Sequence, residues 1–286
     1  MNAPPERRAS GVAPLPGFGR ARPLIALIHL APLPGSPRGQ GSLEAVFRAA
    51  LRDASSLASA GFDGLLLENF GDAPFFPEAV PPETVASMSV LLSRLRGEIP
   101  HLVWGVNVLR NDAHAALAVA AAGGASFIRV NVHTGATATD QGILTGRAHE
   151  TLRRRAHLAP QVSVFADALV KHGRALDQDS LAGAVRDLAQ RGLADAVLVT
   201  GARTGDAPSL EELAEAKAAA GPVPVLVASG ATARNVSSFL RLCDGVIVGT
   251  ALKRGGITTA PVDPRRARAF VEQARAADPG RRKARP

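Results

Sequence analysis

Val225-Leu-Val-Ala-Ser-Gly-Ala-Thr and, shortly after it, Asp244-Gly-Val-Ile-Val-Gly-Thr decide how this chain reads. Each is a short aliphatic run that stops at glycine and hydroxyl residues just before a helix-like segment. Runs this apolar on both faces fit strands of a parallel sheet, buried on either side. Working outward, the same shape recurs at 24–30, 64–67, 102–108, 127–132, 162–166 and 196–199, giving eight runs with 223–228 and 245–248. Behind them stand His29, Glu68, Asn69, Asn107, Asn131, His133, Asp167, Thr200, Ser229, Gly230, Gly249 and Thr250. Polar residues gathered at the C-terminal ends of parallel strands make a pocket. This predicts a single (β/α)8 TIM barrel with one active face.

Helix signals fill the gaps between the runs. Ser42 caps a helix over 42–60 with Gly61 beyond its end, and Pro81-Pro82 opens one running to about Arg96. Asn111 or Asp112 caps a third that ends at Gly123-Gly124. Further helices are expected over 147–157, 180–191, 209–220, 233–241 and 263–277. An open doubly wound sheet would alternate in the same way, but it more often carries G-x-G-x-x-G in its first turn. Here that turn reads His29-Leu-Ala-Pro-Leu-Pro-Gly-Ser-Pro. The barrel is expected over 23–277, between loose tails at 1–22 and 278–286.

The net charge is +8, and its placement narrows the function. Arg7, Arg8, Arg20 and Arg22 lie in the first tail and Arg281, Arg282, Lys283 and Arg285 in the last, leaving the body nearly balanced. A nucleic-acid-binding domain would carry its basic stripe on the folded surface, so no nucleic-acid partner is expected. No run approaches the ~18–20 apolar residues of a membrane span. The proline-rich N-terminus is unlike a secretory signal, so the expectation is a cytoplasmic protein, with peripheral membrane contact through the basic tails as the alternative. The single cysteine, Cys243, excludes an intrachain disulfide and a cysteine-based metal cluster. A homo-oligomer is expected.

Chemistry is read from the strand ends. Barrels often hold phosphate in the loops after strands seven and eight, where glycine lets backbone N–H groups approach an anion. That assigns Gly230, Gly249 and Thr250 to a phosphate grip, with Ser229 in it and Lys253 nearby. Glu68 and Asp167 can act as general acid or base at the rim, with His29 as a third catalytic candidate. Asp167 could instead pair with Lys171 or Arg129. Asn69, Asn107 and Asn131 offer amides for substrate hydroxyls, and His133, Lys171, His172 and Thr200 complete the substrate-binding set. Asp72, in the loop Phe70-Gly-Asp-Ala-Pro-Phe-Phe, is a secondary candidate. No histidine pair has metal-ligand spacing. No cofactor is predicted, and a divalent metal would need ligands from distant strands such as His29, Glu68 and Asp167. The expected partner is a small phosphorylated metabolite.

Several motifs in order resemble the BtpA/SgcQ family over about residues 23–275. They are Ala26-Leu-Ile-His-Leu-Ala-Pro-Leu-Pro-Gly-Ser-Pro, Asp63-Gly-Leu-Leu-Leu-Glu-Asn-Phe-Gly-Asp-Ala-Pro-Phe, Gly105-Val-Asn-Val-Leu-Arg-Asn-Asp, Phe127-Ile-Arg-Val-Asn-Val-His-Thr-Gly, Ala166-Asp-Ala-Leu-Val-Lys-His and Thr200-Gly-Ala-Arg-Thr-Gly. The resemblance implies a barrel of the ribulose-phosphate-binding type. It also implies two functional labels: photosystem I accumulation, and a sugar-metabolism or nucleosidase-like activity. It brings no catalytic residues with it. Ala228 stands where the resemblance leads one to expect glycine before Ser229-Gly230.

Overall fold

The computed structural model describes residues 15–39, 41–169, 173–176, 180–201 and 206–276. Eight parallel strands close into a barrel: β1 (Leu24–His29), β2 (Gly64–Glu68), β3 (Val103–Asn107), β4 (Phe127–Val130), β7 (Ser163–Asp167), β9 (Ala196–Val199), β10 (Val225–Val227) and β11 (Gly245–Val248). Each pairs with the barrel strands before and after it in the chain, and β11 closes onto β1. Outside run α1 (Leu43–Ala60), α2 (Pro82–Glu98), α3 (Ala113–Gly123), α4 (Ala148–Leu158), α5 (Leu181–Arg186), α6 (Leu210–Ala220), α7 (Val236–Leu242) and α8 (Pro264–Ala276). The eight-fold barrel expected from the apolar runs is the fold of this chain.

Helix ends follow local chemistry. Ser42 accepts from the Ala45 N–H at the start of α1, and Gly61, at φ +94°, closes its end. Asp112 caps α3 through the Ala115 N–H, and Ser209 with Glu212 forms a reciprocal capping box on α6. α7 begins later than expected. Asn235 Oδ1 accepts from the Thr232 N–H at 2.7 Å and its Nδ2 donates to the Gly230 carbonyl at 2.9 Å, so residues 232–235 form a turn. That turn braces the loop after β10.

Strand periodicity divides the core in two. Outward residues such as Ala26, Leu65, Val106 and Val246 pack beneath the helices. Inward residues Ile25, Leu27, Leu66, Phe127, Phe165, Leu198, Leu226 and Ile247 fill the barrel. Phe127 stacks on Phe165 with ring centroids 4.5 Å apart. A Cβ at Gly105 would lie 2.2 Å from Phe127 Cζ, so the large ring needs glycine on the neighbouring strand. Within the segment expected as a loose tail through Arg22, two residues touch the barrel interior. Leu15 is buried with the interior cluster, and the Phe18 ring tilts against Phe127 at 6.1 Å.

A repeated device ties the strand starts together. Asp63-Gly-Leu-Leu-Leu, Asp195-Ala-Val-Leu-Val and Asp244-Gly-Val-Ile-Val open β2, β9 and β11. In each, aspartate Oδ2 accepts an N–H of the adjacent strand: Leu24 at 2.7 Å, Val164 at 2.7 Å and Val225 at 2.8 Å. The same oxygen meets a helix cation, Arg275 of α8, Arg155 of α4 or Lys217 of α6. One carboxylate thereby joins two strands and a helix through charge-assisted bonds.

One insertion departs from the expected pattern. Between β4 and α5 the chain adds β5 (Ala136–Thr139), β6 (Gly142–Thr145) and β8 (Gly173–Ala175), an antiparallel sheet in the order β6-β5-β8. Of these strands only Thr137 and Leu144 are buried. With so little apolar content, no alternation announced them.

Candidate functional site

The inward parity of each strand continues past its apolar residues to a polar one. Leu27 is followed on its face by His29, Leu66 by Glu68, Gly105 by Asn107, Phe127 by Arg129 and then Asn131, and Phe165 by Asp167. Above this floor lies a cavity of about 720 Å³, lined by His29, Glu68, Arg129, Asn131 and Asp167 together with residues 228–232 and 247–251. Burying so many polar groups is costly unless they are paired, and the pairs are on view.

Two clusters lie side by side along the barrel wall, meeting where Asn107 of β3 pairs with Arg129 of β4. In the first, Asn107 Nδ2 donates to Glu68 Oε2 at 2.7 Å, while Glu68 Oε1 lies 3.8 Å from His29 Nε2. The His29 ring stands edge-on to Phe70, with centroids 5.0 Å apart. In the second, Arg129 Nε and Nη2 donate to the two oxygens of Asp167 at 3.1 and 3.0 Å, and Asn131 Nδ2 donates to Asp167 Oδ2 at 2.7 Å. Of the two partners anticipated for Asp167, Arg129 is therefore the one seen. Burial by itself would lower the Arg129 pKa, but Asp167 and then Glu68 outweigh it and the value is raised. The Asn131 Oδ1 atom is buried and accepts no hydrogen bond.

The opposite wall is backbone. Among the described residues, the N–H groups of Gly230, Ala231, Gly249 and Thr250 donate to nothing else in the protein, and all four residues line the cavity. Gly230 has φ +66°, and a Cβ there would lie 2.3 Å from Ala207 Cα, so only glycine fits this close approach. A Cβ at Gly249 would lie 2.8 Å from His29 Cε1, so this glycine makes room for the imidazole.

Other anticipated residues are turned to structural work. Asn69 Oδ1 accepts from the Leu109 N–H at 2.7 Å and its Nδ2 donates to Asp72 Oδ2 at 3.1 Å. Asp72 in turn accepts from the Leu33 N–H at 2.8 Å, and burial raises its pKa despite these bonds. Both brace the loops and neither lines the cavity. His133 Nε2 meets the Gly192 carbonyl at 2.9 Å, and burial lowers its pKa. It too is outside the cavity wall. Thr200 donates to the Leu169 carbonyl at 2.8 Å. The Ser229 hydroxyl accepts from the Gly201 N–H at 2.6 Å and donates to the Asp206 carbonyl at 2.8 Å, joining those two residues. Lys253 is buried in an ion pair with Asp53 of α1 at 2.6 Å, away from any phosphate grip. Lys171 and His172 lie outside the described residues.

The structure adds residues the sequence reading missed. Arg110 lines the cavity and is nearly buried; desolvation lowers its pKa, against the pull of Asp167 and Glu68. Asp140 and Gln141, at the turn between β5 and β6, also reach the cavity. Only the strand parity of Arg129 was legible beforehand. Among the described residues, no group of three or more His, Cys, Asp or Glu side chains is placed to hold a metal ion. No described helix is long and apolar enough to cross a membrane.

Comparison with known proteins agrees with this architecture. The sequence model of the BtpA family matches residues 20–276. The chain is 47% identical over 255 residues to the photosystem I biogenesis protein BtpA of Synechocystis, covering 89% of this chain and 88% of that protein. It is also 47% identical to a protein of Thermococcus kodakarensis, covering 89% and 95%. Among solved structures, KGPDC of Streptococcus mutans is similar with a TM-score of 0.58 at 14% identity, covering 90% of this chain and 99% of that one. At that identity the likeness speaks for the barrel fold alone.

Proposed function

The chain belongs to the BtpA family, and from that membership and the geometry of the rim we propose that it is an enzyme acting on a phosphorylated sugar or a nucleoside-like metabolite. The observation that carries this reading is the set of N–H groups without a protein acceptor at Gly230, Ala231, Gly249 and Thr250, among the described residues, in the same cavity as two buried carboxylates. Successive backbone donors in a concave wall suit a phosphate. Glu68, held by Asn107 and close to His29, is the proton-transferring group. Asp167 keeps Arg129 in place and offers negative charge to a cationic sugar centre. Lys171 and His172 remain assigned to substrate, on the segment after β7. Isomerisation, bond-cleaving elimination and N-glycosidic hydrolysis all fit this arrangement. The protein would work in the cytoplasm as a homo-oligomer, with no metal requirement.

Thermal shift against sugar phosphates, nucleosides, nucleotides and inorganic phosphate, each with and without a divalent cation, tests the proposal. A ligand at 100 times its Kd stabilises by about 2.7 kcal/mol. The expected hit is a phosphorylated compound, lost in Gly249→Asp, which adds negative charge beside the backbone donors and sets its Cβ against the His29 imidazole. A hit retained in that variant, or none among phosphorylated compounds, refutes the grip.

The name of the Synechocystis relative favours a second reading, a non-catalytic factor in photosystem or other membrane-complex assembly. A scaffold has no use for polar groups buried at a cavity, which cost stability without a ligand. Pull-down by the full chain, with and without the basic tails, separates the two.

A further inference from the structure

Two amide oxygens at the main cavity are left without donors, and the way they are held says what they await. Asn131 Oδ1 and Gln141 Oε1 are both buried, both belong to cavity-lining residues, and neither accepts a hydrogen bond. Asn131 is 4% exposed. Each amide is oriented by a carboxylate. Asn131 Nδ2 donates to Asp167 Oδ2 at 2.7 Å, and Gln141 Nε2 donates to Asp140 Oδ2. A carboxylate accepts only, so it takes the NH2 side and leaves the oxygen as the group presented. The buried Asn131 amide cannot flip without setting its oxygen against Asp167.

We propose that the ligand's end remote from the phosphate carries at least two hydrogen-bond donors, the hydroxyls of a polyol or sugar, received by Asn131 Oδ1 and Gln141 Oε1. This rests on the phosphate reading above and deepens it. Backbone donors line the cavity after β10 and β11, and the two residues with unmet amide oxygens line it at β4 and the β5–β6 turn, beside Arg110, Arg129, Glu68 and Asp167. A phosphorylated polyol has the matching polarity, acceptors at one end and donors at the other. A ligand with no donors at that end would leave both amide oxygens unmet. The inserted antiparallel sheet thereby gains a task, since it delivers Gln141 to the cavity. Gln141 is a specificity residue outside the barrel proper.

Calorimetric titration of the full chain with four probes tests this: inorganic phosphate, D-ribose 5-phosphate, n-pentyl phosphate and ribitol. Pentyl phosphate keeps the chain length and removes the hydroxyls. Ribose 5-phosphate should bind at least about tenfold more tightly than pentyl phosphate, from two hydrogen bonds each worth roughly fivefold. Asn131→Leu and Gln141→Leu should each cut that ratio by about fivefold while leaving inorganic phosphate unchanged. Gln141 lies on a surface turn, so its variant keeps the result readable if Asn131→Leu fails to fold. Equal binding of ribose 5-phosphate and pentyl phosphate, or a ratio unmoved by both substitutions, overturns the inference while phosphate binding stands. If inorganic phosphate does not bind, the phosphate reading fails by itself. Ribitol then decides the acceptor end alone, by binding wild type more tightly than either variant or by failing to.

Discussion

Removing Arg129 should damage this barrel more than removing Arg129 and Asp167 together. Their side chains are 4% and 0% exposed, and two hydrogen bonds of 3.1 and 3.0 Å join them. In Arg129→Met, Asp167 keeps, among the described residues, the Asn131 amide and the charge of nearby Arg110, and a buried carboxylate that loses its ion-pair partner costs about 3–5 kcal/mol. At about 2–4 °C per kcal/mol for a domain near this size, the melting temperature falls by roughly 6–20 °C. The double variant Arg129→Met with Asp167→Leu removes both charges and fills the space with apolar atoms. Such replacements are often neutral or better. The remaining loss is the Asn131 NH2 without its acceptor, about 1–3 kcal/mol. The double variant should therefore be more stable than Arg129→Met, yet inactive if Asp167 serves the reaction. Urea denaturation of the four proteins, read as midpoints at constant slope, measures the coupling. Arg129→Met within 1 kcal/mol of wild type, or a double variant as unstable as the two singles summed, would refute the reasoning.

Three further outcomes are expected. Burial holds the His133 pKa below its ordinary 6.5, so the unfolded chain takes up the proton first as pH falls. Stability present above 6.5 is lost below it, and His133→Gln should flatten that loss in pH-dependent melting; an unchanged profile contradicts the assignment. Burial pushes the Cys243 thiol from 9.0 up to about 11, so iodoacetamide at pH 8 should label it only after unfolding, and stability should decline as pH rises from 9 towards 11. Labelling of the folded protein at the rate of a free thiol counts against this. Asp63→Ala, Asp195→Ala and Asp244→Ala should each cost about 1.5–3 kcal/mol through a lost charge-assisted bond at the strand start. Their effects should add in denaturation midpoints, since they share no partner; near-zero single effects would show that the repeat holds nothing together.

The sequence alone determined the barrel, because eight aliphatic runs separated by capped helices leave few ways to bury both faces of every strand. It also located Glu68, Asn107 and Asp167, because a polar residue two places beyond an inward apolar one must share its face, and Asn131, two places beyond Arg129 on the same face. The same parity, carried one residue further, would have shown that Asn69 lies on the other face from Glu68. Only the tertiary structure showed His133 turned to the Gly192 carbonyl, since the chain has left β4 by then and periodicity no longer applies. Lys253 reads as a free cation beside a glycine loop until α1 brings Asp53 against it from 200 residues away. The β5–β6 turn, with Asp140 and Gln141, carried no signal because its strands bury almost nothing. Local pattern reports burial and face. Which groups meet across the barrel mouth depends on contacts between residues far apart in the chain, and these arise only when the strands close.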